Sequence, residues 1–244
     1  MPLHDWTRVN SGLYHHFHQG WCWEIGCALN RGGTLPKSMT ALVEQRSGSN
    51  EPDVVAVELS VPVEQNWASP GGTAILERPK TRLKRQLDEE HYAGKASRIV
   101  IRHRLGRIVA IIELVSPGNK DSTPRIRQFV EKIAESLRQG IHVLVADPFP
   151  PTPRDPDGIH KAIWDEFHVE DFELPADQNR VLASYEGDGV FSAFIETIGV
   201  GQPLPDMPLF LAPGAHILVP LETAYMAAWE DTPPAVQRLV LNPT

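Results

Sequence analysis

The sequence predicts an α/β (α+β) fold, a mixed central sheet flanked by helices. Three consecutive segments carry that prediction. "IVAIIELV" (108–115) is a nearly continuous apolar run of strand length, the pattern of a strand buried on both faces. "TPRIRQFVEKIAESLRQG" places Ile126, Phe129, Val130, Ile133 and Leu137 on one face of a 3.6-residue period. "IHVLVAD" follows at once as a second short buried strand, and the order strand, helix, strand implies a right-handed parallel crossover.

The other elements follow from the N-terminus. Aromatic and aliphatic residues recur at helical intervals from Tyr14 to Leu29 and stop on Asn30-Arg31-Gly32-Gly33, which predicts a helix with a glycine stop. "DVVAVELSV" is β-branched and bounded by turn residues, hence a strand opening on Asp53. The charged stretch "RPKTRLKRQLDEEHYAGK" is compatible with an exposed helix, a loop or part of a long hairpin. "ASRIVIRHRL" alternates apolar and basic residues and turns at Gly106-Arg107 into the central strand, as an antiparallel hairpin. In the amphipathic helix, Thr123 is the expected N-cap, Pro124 falls in the first turn and Gly140 is the stop. Beyond the loop "PFPPTPRDPDG" come a short helix near "IHKAIWDEF" and strands at "RVLASYE" and "VFSAFIETI". A proline-rich link "PLPDMPLFLAP" then leads to a final helix from about Pro220 to Trp229.

Length and composition fit one domain spanning 1–244. A net charge of -8 excludes a protein that coats nucleic acid through overall positive charge, though not a local basic patch. Cys22 and Cys27 are too few for a disulfide scaffold, and their spacing matches no zinc ribbon. No secretory leader and no run of about 18 apolar residues is visible, so the expectation is a cytoplasmic protein off the membrane, its oligomeric state open and a homodimer compatible.

Two acids sit at strand edges. Asp53 opens one strand behind Pro52, and Glu113 lies in the central strand just before the Ser116-Pro117-Gly118 turn. Carboxylates on neighbouring strands can share a hard divalent cation, and Mg²⁺ needs only one or two of them plus a substrate phosphate. A metal so held polarises a phosphoryl oxygen and activates water, while a lysine offsets developing charge. Lys120 in the turn and Lys132 on the helix are the available lysines. The plainer alternative is that Asp53 merely opens a strand and Glu113 meets solvent or an arginine.

The set "PDVVAV", "IVAIIELVSPGNK", a lysine-bearing helix and "GIHVLVADP" resembles the Uma-type endonuclease-like family of the PD-(D/E)XK nuclease superfamily. Members show a Pro-Asp strand, a "vEvlSP" strand, a lysine eight residues before a Gly-Val, and a strand ending Val-Asp-Pro. Here Lys132 stands eight residues before Gly140, and Val145-Ala146-Asp147-Pro148 closes the set. "IELVSPGNK" with "FVEKIAESLRQGIHVL" is similar to a bacterial domain-of-unknown-function family, numbered four-zero-five-eight, and that likeness would run from "HDW" to "LPDMPLFL" and the last helix.

The resemblance implies a restriction-endonuclease-like sheet and hydrolysis of DNA or RNA phosphodiesters with Mg (or Mn). It makes Asp53 and Glu113 metal ligands, Lys132 the catalytic lysine moved from strand to helix, and Glu44 a candidate for the further acid that the superfamily often adds from its first helix. The superfamily pattern asks for lysine two positions after the second acid, where this chain has Val115. A non-catalytic nuclease fold that binds nucleic acid or protein is the alternative. Asp147 is a supporting candidate, although Asp before Pro also begins turns.

His15, His16 and His18 offer imidazoles but no completing ligand pattern, and packing of an aromatic-rich helix explains them better. Arg78, Lys80, Arg82, Lys84, Arg85, Arg98, Arg102 and Arg104 form the positive region, which suits either phosphate contacts or a solvated hairpin.

Overall fold

A computed structural model describes residues 3–31, 33–43, 54–59, 83–86, 102–103, 106–188 and 191–242, with 54–59, 83–86 and 102–103 described through their backbone alone. A 3-10 turn at Trp6–Arg8 precedes helix α1 (Ser11–Asn30), capped by the Asn10 side chain on the Gly12 amide. Strands β1 (Met39–Leu42), β2 (Val54–Leu59), β3 (Leu83–Gln86), β4 (Arg102–His103) and β5 (Gly106–Leu114) follow. Then come α2 (Pro117–Lys120), α3 (Thr123–Arg138), β6 (His142–Asp147) and α4 (Ile159–Trp164). The remainder is β7 (Arg180–Glu186), β8 (Ser192–Ile198), β9 (Met207–Ala212), β10 (Ala215–Val219), α5 (Leu221–Glu230) and α6 (Pro234–Leu241).

Among the described residues the main sheet has eight strands, in the order β1-β2-β5-β6-β7-β8-β3, with β4 pairing the start of β5. The β5–β6 pair is parallel and the other pairs are antiparallel, so the sheet is mixed, as the sequence predicts. Helix α3 makes the crossover between the parallel strands. Its N-cap is Ser122 and Thr123 is already helical, one residue from the expected cap. Gly140 takes φ +75°, the left-handed conformation that lets the chain leave a helix cheaply.

Four features depart from the sequence reading. Gly106 and Arg107 are the first residues of β5, paired with His103 and Arg102, and not the hairpin turn; most of "ASRIVIRHRL" lies outside the described residues. The Ser-Pro-Gly turn is the start of α2, with Pro117 in the first helical turn where its missing N–H costs nothing. The charged 78–95 stretch contributes an edge strand, β3, paired with the distant β8. The proline-rich link contains β9, which pairs with β10 in a separate two-stranded sheet, and α6 follows the expected last helix.

Alternation along the buried strands sends successive side chains to opposite faces and splits the core in two. Ile112, Leu114, Leu144 and Ala146 face α1, α5 and the β9–β10 sheet. Ile111, Val115, Val143 and Val145 face α3 and α4. Glu113 falls between Ile111 and Val115 and therefore belongs to the α3 face. On the other face the chain ends are knitted together: Tyr225 Oη on α5 accepts from Trp6 Nε1 at 2.9 Å and from the His4 amide at 3.1 Å, and the His4 ring stacks on Trp229 at 3.8 Å.

Candidate functional site

Strand β5 delivers a carboxylate into an otherwise apolar face, and α3 delivers its counter-charge. Glu113 is 2 % exposed, and Lys132 Nζ donates to its Oε2 at 2.7 Å. Lys132 reaches the sheet because it shares a helix face with Phe129, whose ring lies 5.3 Å from the ammonium. A carboxylate buried so deeply requires a cationic or hydrogen-bonding partner, which the crossover helix supplies.

The backbone just past Glu113 is held from the opposite face. Tyr14 Oη donates to the Val115 carbonyl at 3.1 Å, and His18 Nε2 lies 3.0 Å from the Leu114 carbonyl. His18 is thus a buried anchor of α1 on the strand end, whereas His15 and His16 are exposed. Cys22 is buried and Cys27 half-buried, and neither forms a disulfide among the described residues.

Lys120 goes elsewhere. Helix α2 carries it to the end of β6, where Nζ lies 2.6 Å from Asp147 Oδ2 and 2.8 Å from Asp155 Oδ2 and donates to the Pro150 carbonyl at 3.1 Å. All three ionisable residues are 4 % exposed or less. Burial alone would lower the Lys120 pKa, but the two carboxylates outweigh it and hold the ammonium above its usual value. Asp147 shifts the other way: burial pushes its pKa up to about 6, against the pull of Lys120 and of the Phe149 amide. The sequence pointed to Lys120 and Asp147 separately but not to Asp155, which sits in a loop whose composition signals only turns.

The structure therefore brings Glu113 and Lys132 together and gives Lys120 different partners. Asp53 and Glu44 lie outside the described residues, as do Arg78, Lys80, Arg82, Arg98 and Arg104. Of the remaining basic candidates, Lys84 and Arg85 lie on edge strand β3, opposite Phe194 and Ala193, and Arg102 lies on β4. Val54, the first described residue of β2, pairs with Ile112, immediately before Glu113.

For a divalent cation, the described donor set is incomplete by itself. No group of three or more His, Cys, Asp or Glu side chains converges among the described residues. Glu113 offers hard oxygen of the kind Mg²⁺ prefers, yet one of its oxygens is engaged by Lys132, so a metal there requires a further acid. No helix among the described residues is long and apolar enough to cross a membrane. Compared with known proteins, the chain matches no family model, no curated protein and no solved structure.

Proposed function

We propose that the chain is a metal-dependent phosphodiesterase of the PD-(D/E)XK type, related to the Uma-type endonuclease-like and four-zero-five-eight families, acting on DNA or RNA. The observation that carries this reading is the pair of buried Glu113 and half-buried Lys132, 2.7 Å apart at the C-terminal end of a central strand. An acid and a lysine at that place are what the superfamily's chemistry requires, and α3 supplies the lysine that Val115 does not. The reading takes its second acid from the neighbouring strand, in which Val54, the residue after Asp53 in sequence, pairs with Ile112, the residue before Glu113.

In this reading Asp53 and Glu113, with Glu44 as the further candidate, hold one Mg²⁺ or Mn²⁺. Once bound, the ion polarises the scissile phosphoryl group and lowers the pKa of a water. Lys132, anchored on Glu113 and beside the Phe129 ring, would set its side-chain nitrogen where the phosphoryl oxygens become more negative. The Glu113 carboxylate beside it is buried, and a low-dielectric surrounding screens charge poorly.

One feature favours a second reading, a nucleic-acid- or protein-binding module that has kept the fold without the chemistry: Glu113 and Lys132 already neutralise each other without any metal. Cleavage assays separate the two. The protein is incubated with supercoiled plasmid and with single-stranded RNA in Mg²⁺ and in Mn²⁺, beside Asp53→Asn, Glu113→Gln and Lys132→Met. The hydrolase reading expects cleavage, and a loss of about 100-fold or more in each variant. No cleavage of either substrate, or cleavage that survives Asp53→Asn, overturns it.

A further inference from the structure

We infer that the proline-rich segment 148–158 is a strap held to the protein by a proton-dependent charge latch, formed by Lys120, Asp147 and Asp155. The inference is independent of the proposed hydrolysis.

The strap cannot hold itself in place by sheet pairing. Five of its eleven residues, 148, 150, 151, 153 and 156, are prolines without an N–H to donate. At its far end the Gly158 carbonyl accepts from the Ala162 amide of α4 at 3.3 Å, and before that its polar attachments centre on the three ionisable residues. Asp147 Oδ1 accepts from the Phe149 amide at 3.0 Å, Lys120 Nζ donates to the Pro150 carbonyl, and Asp155 Oδ1 accepts from the Thr152 amide at 2.9 Å and from its hydroxyl at 2.5 Å. Arg154 closes the circuit by donating to the Lys120 carbonyl at 3.2 Å. The one large apolar anchor is Phe149, edge-on to Tyr14 with ring centroids 4.8 Å apart.

The latch is unbalanced by one charge. Two carboxylates share one ammonium, and all three are buried. The charged neighbours lie outside this enclosed triad: Arg180 on β7 is within electrostatic reach of Asp147 and 3.5 Å from Asp5, Arg8 holds Asp5 at 2.9 Å, and Arg154 is exposed, so the excess negative charge is that of the three buried groups. Glu113 on the adjacent strand has its own counter-ion in Lys132. A buried excess charge is relieved by taking up a proton, and Asp147, completely enclosed at the strand end, is the group that does so. Its elevated pKa agrees with that assignment.

The consequence follows from linkage. Closing the latch raises the Asp147 pKa from an ordinary carboxylate value to about 6, so the closed strap binds a proton that the open strap releases. The strap is therefore held most firmly in mild acid, and its opening constant rises with pH until the closed state has itself lost the proton. With those two pKa values, opening becomes about tenfold more favourable between about pH 5 and about pH 7 and then levels off.

Amide hydrogen exchange over 148–158, corrected for the intrinsic pH dependence of exchange, tests this on the wild-type chain. Protection is expected to fall about tenfold over that interval in the strap and not in β6. Asp147→Asn and Asp155→Asn each leave a balanced latch and are expected to abolish the pH dependence. A carbon-13 carboxyl titration of the wild type gives a second, mutation-free reading, with a midpoint expected near 6 for Asp147. Equal strap protection at both pH values overturns the latch, as does a midpoint in the ordinary carboxylate range or a full pH response surviving in Asp147→Asn.

Discussion

At the scale of single residues, the decisive fact is that a strand with apolar neighbours on both sides carries a carboxylate 2 % exposed. Lys132 meets that group at 2.7 Å, and removing one member of such a pair is worse than removing both. Lys132→Met is therefore expected to lower unfolding free energy by about 3 kcal/mol, whereas adding Glu113→Gln recovers at least about 1 kcal/mol of that loss. Urea denaturation of the two single variants and the double one measures the coupling; strict additivity would show that the pair contributes nothing. Glu113 was legible because a charge inside an apolar run breaks its pattern, and Lys132 because the family resemblance sets a lysine eight residues before the glycine that ends the helix. Asp155 was not. An aspartate in an Arg-Asp-Pro-Asp-Gly stretch looks like turn chemistry, and only the tertiary arrival of Lys120 makes it an ion-pair partner.

Among the elements, the crossover β5-α3-β6 was readable apart from the start of β5, the short α2 and the N-cap, because strand and helix periods are unambiguous there and the glycine stop sits where the chain must reverse. The β9–β10 pair was hidden: Pro205, Pro208 and Pro213 interrupt the strand pattern, and only the packing of β9 over β5, β6 and β7 makes this stretch a sheet. Helix α6 was missed because Pro233 and Pro234 suggest an end of structure, although a proline is equally at home in a first helical turn. The turn between β7 and β8 carries a constraint that neither period shows. A Cβ at Gly187 would lie 2.4 Å from the Ile141 carbonyl oxygen, and the Gly187 amide donates to His142 Nδ1 at 3.1 Å. At Gly140 a Cβ would meet nothing within 4 Å, and only its positive φ resists substitution. Gly187→Ala is thus expected to cost about 2 kcal/mol or more, and Gly140→Ala only about 1 kcal/mol. Thermal unfolding of the two variants compares them; a larger loss at Gly140 would mean that the β7–β8 turn shifts without penalty.

For the whole molecule, the question is how its buried titrating groups combine. Burial pushes the pKa of both His4 and His142 down to about 4. His4 joins the N-terminus to α5 through Tyr225 and Trp229, and His142 joins the start of β6 to the β7–β8 turn through the Gly187 amide. Each is neutral when folded and charged when unfolded across the interval from about pH 6.5 to about pH 4, so protons drawn by the unfolded chain weaken the fold as pH falls through that window. A shift of this size corresponds to up to about 3 kcal/mol per histidine. Asp147 acts in the opposite sense: its raised pKa adds stability as pH falls below about 6, also by up to about 3 kcal/mol. For these three groups, two losses set against one gain leave a net fall of about 3 kcal/mol. Buried His216, whose pKa burial also lowers, adds to the loss, and the fold should weaken in acid even while the strap is held more tightly. Denaturant unfolding at a series of pH values measures the sum, and His4→Phe, which keeps the stack on Trp229, should remove about half of the His4 and His142 contribution. Stability that stays level or rises from about pH 6.5 to about pH 4 would show that the carboxylate outweighs the histidines.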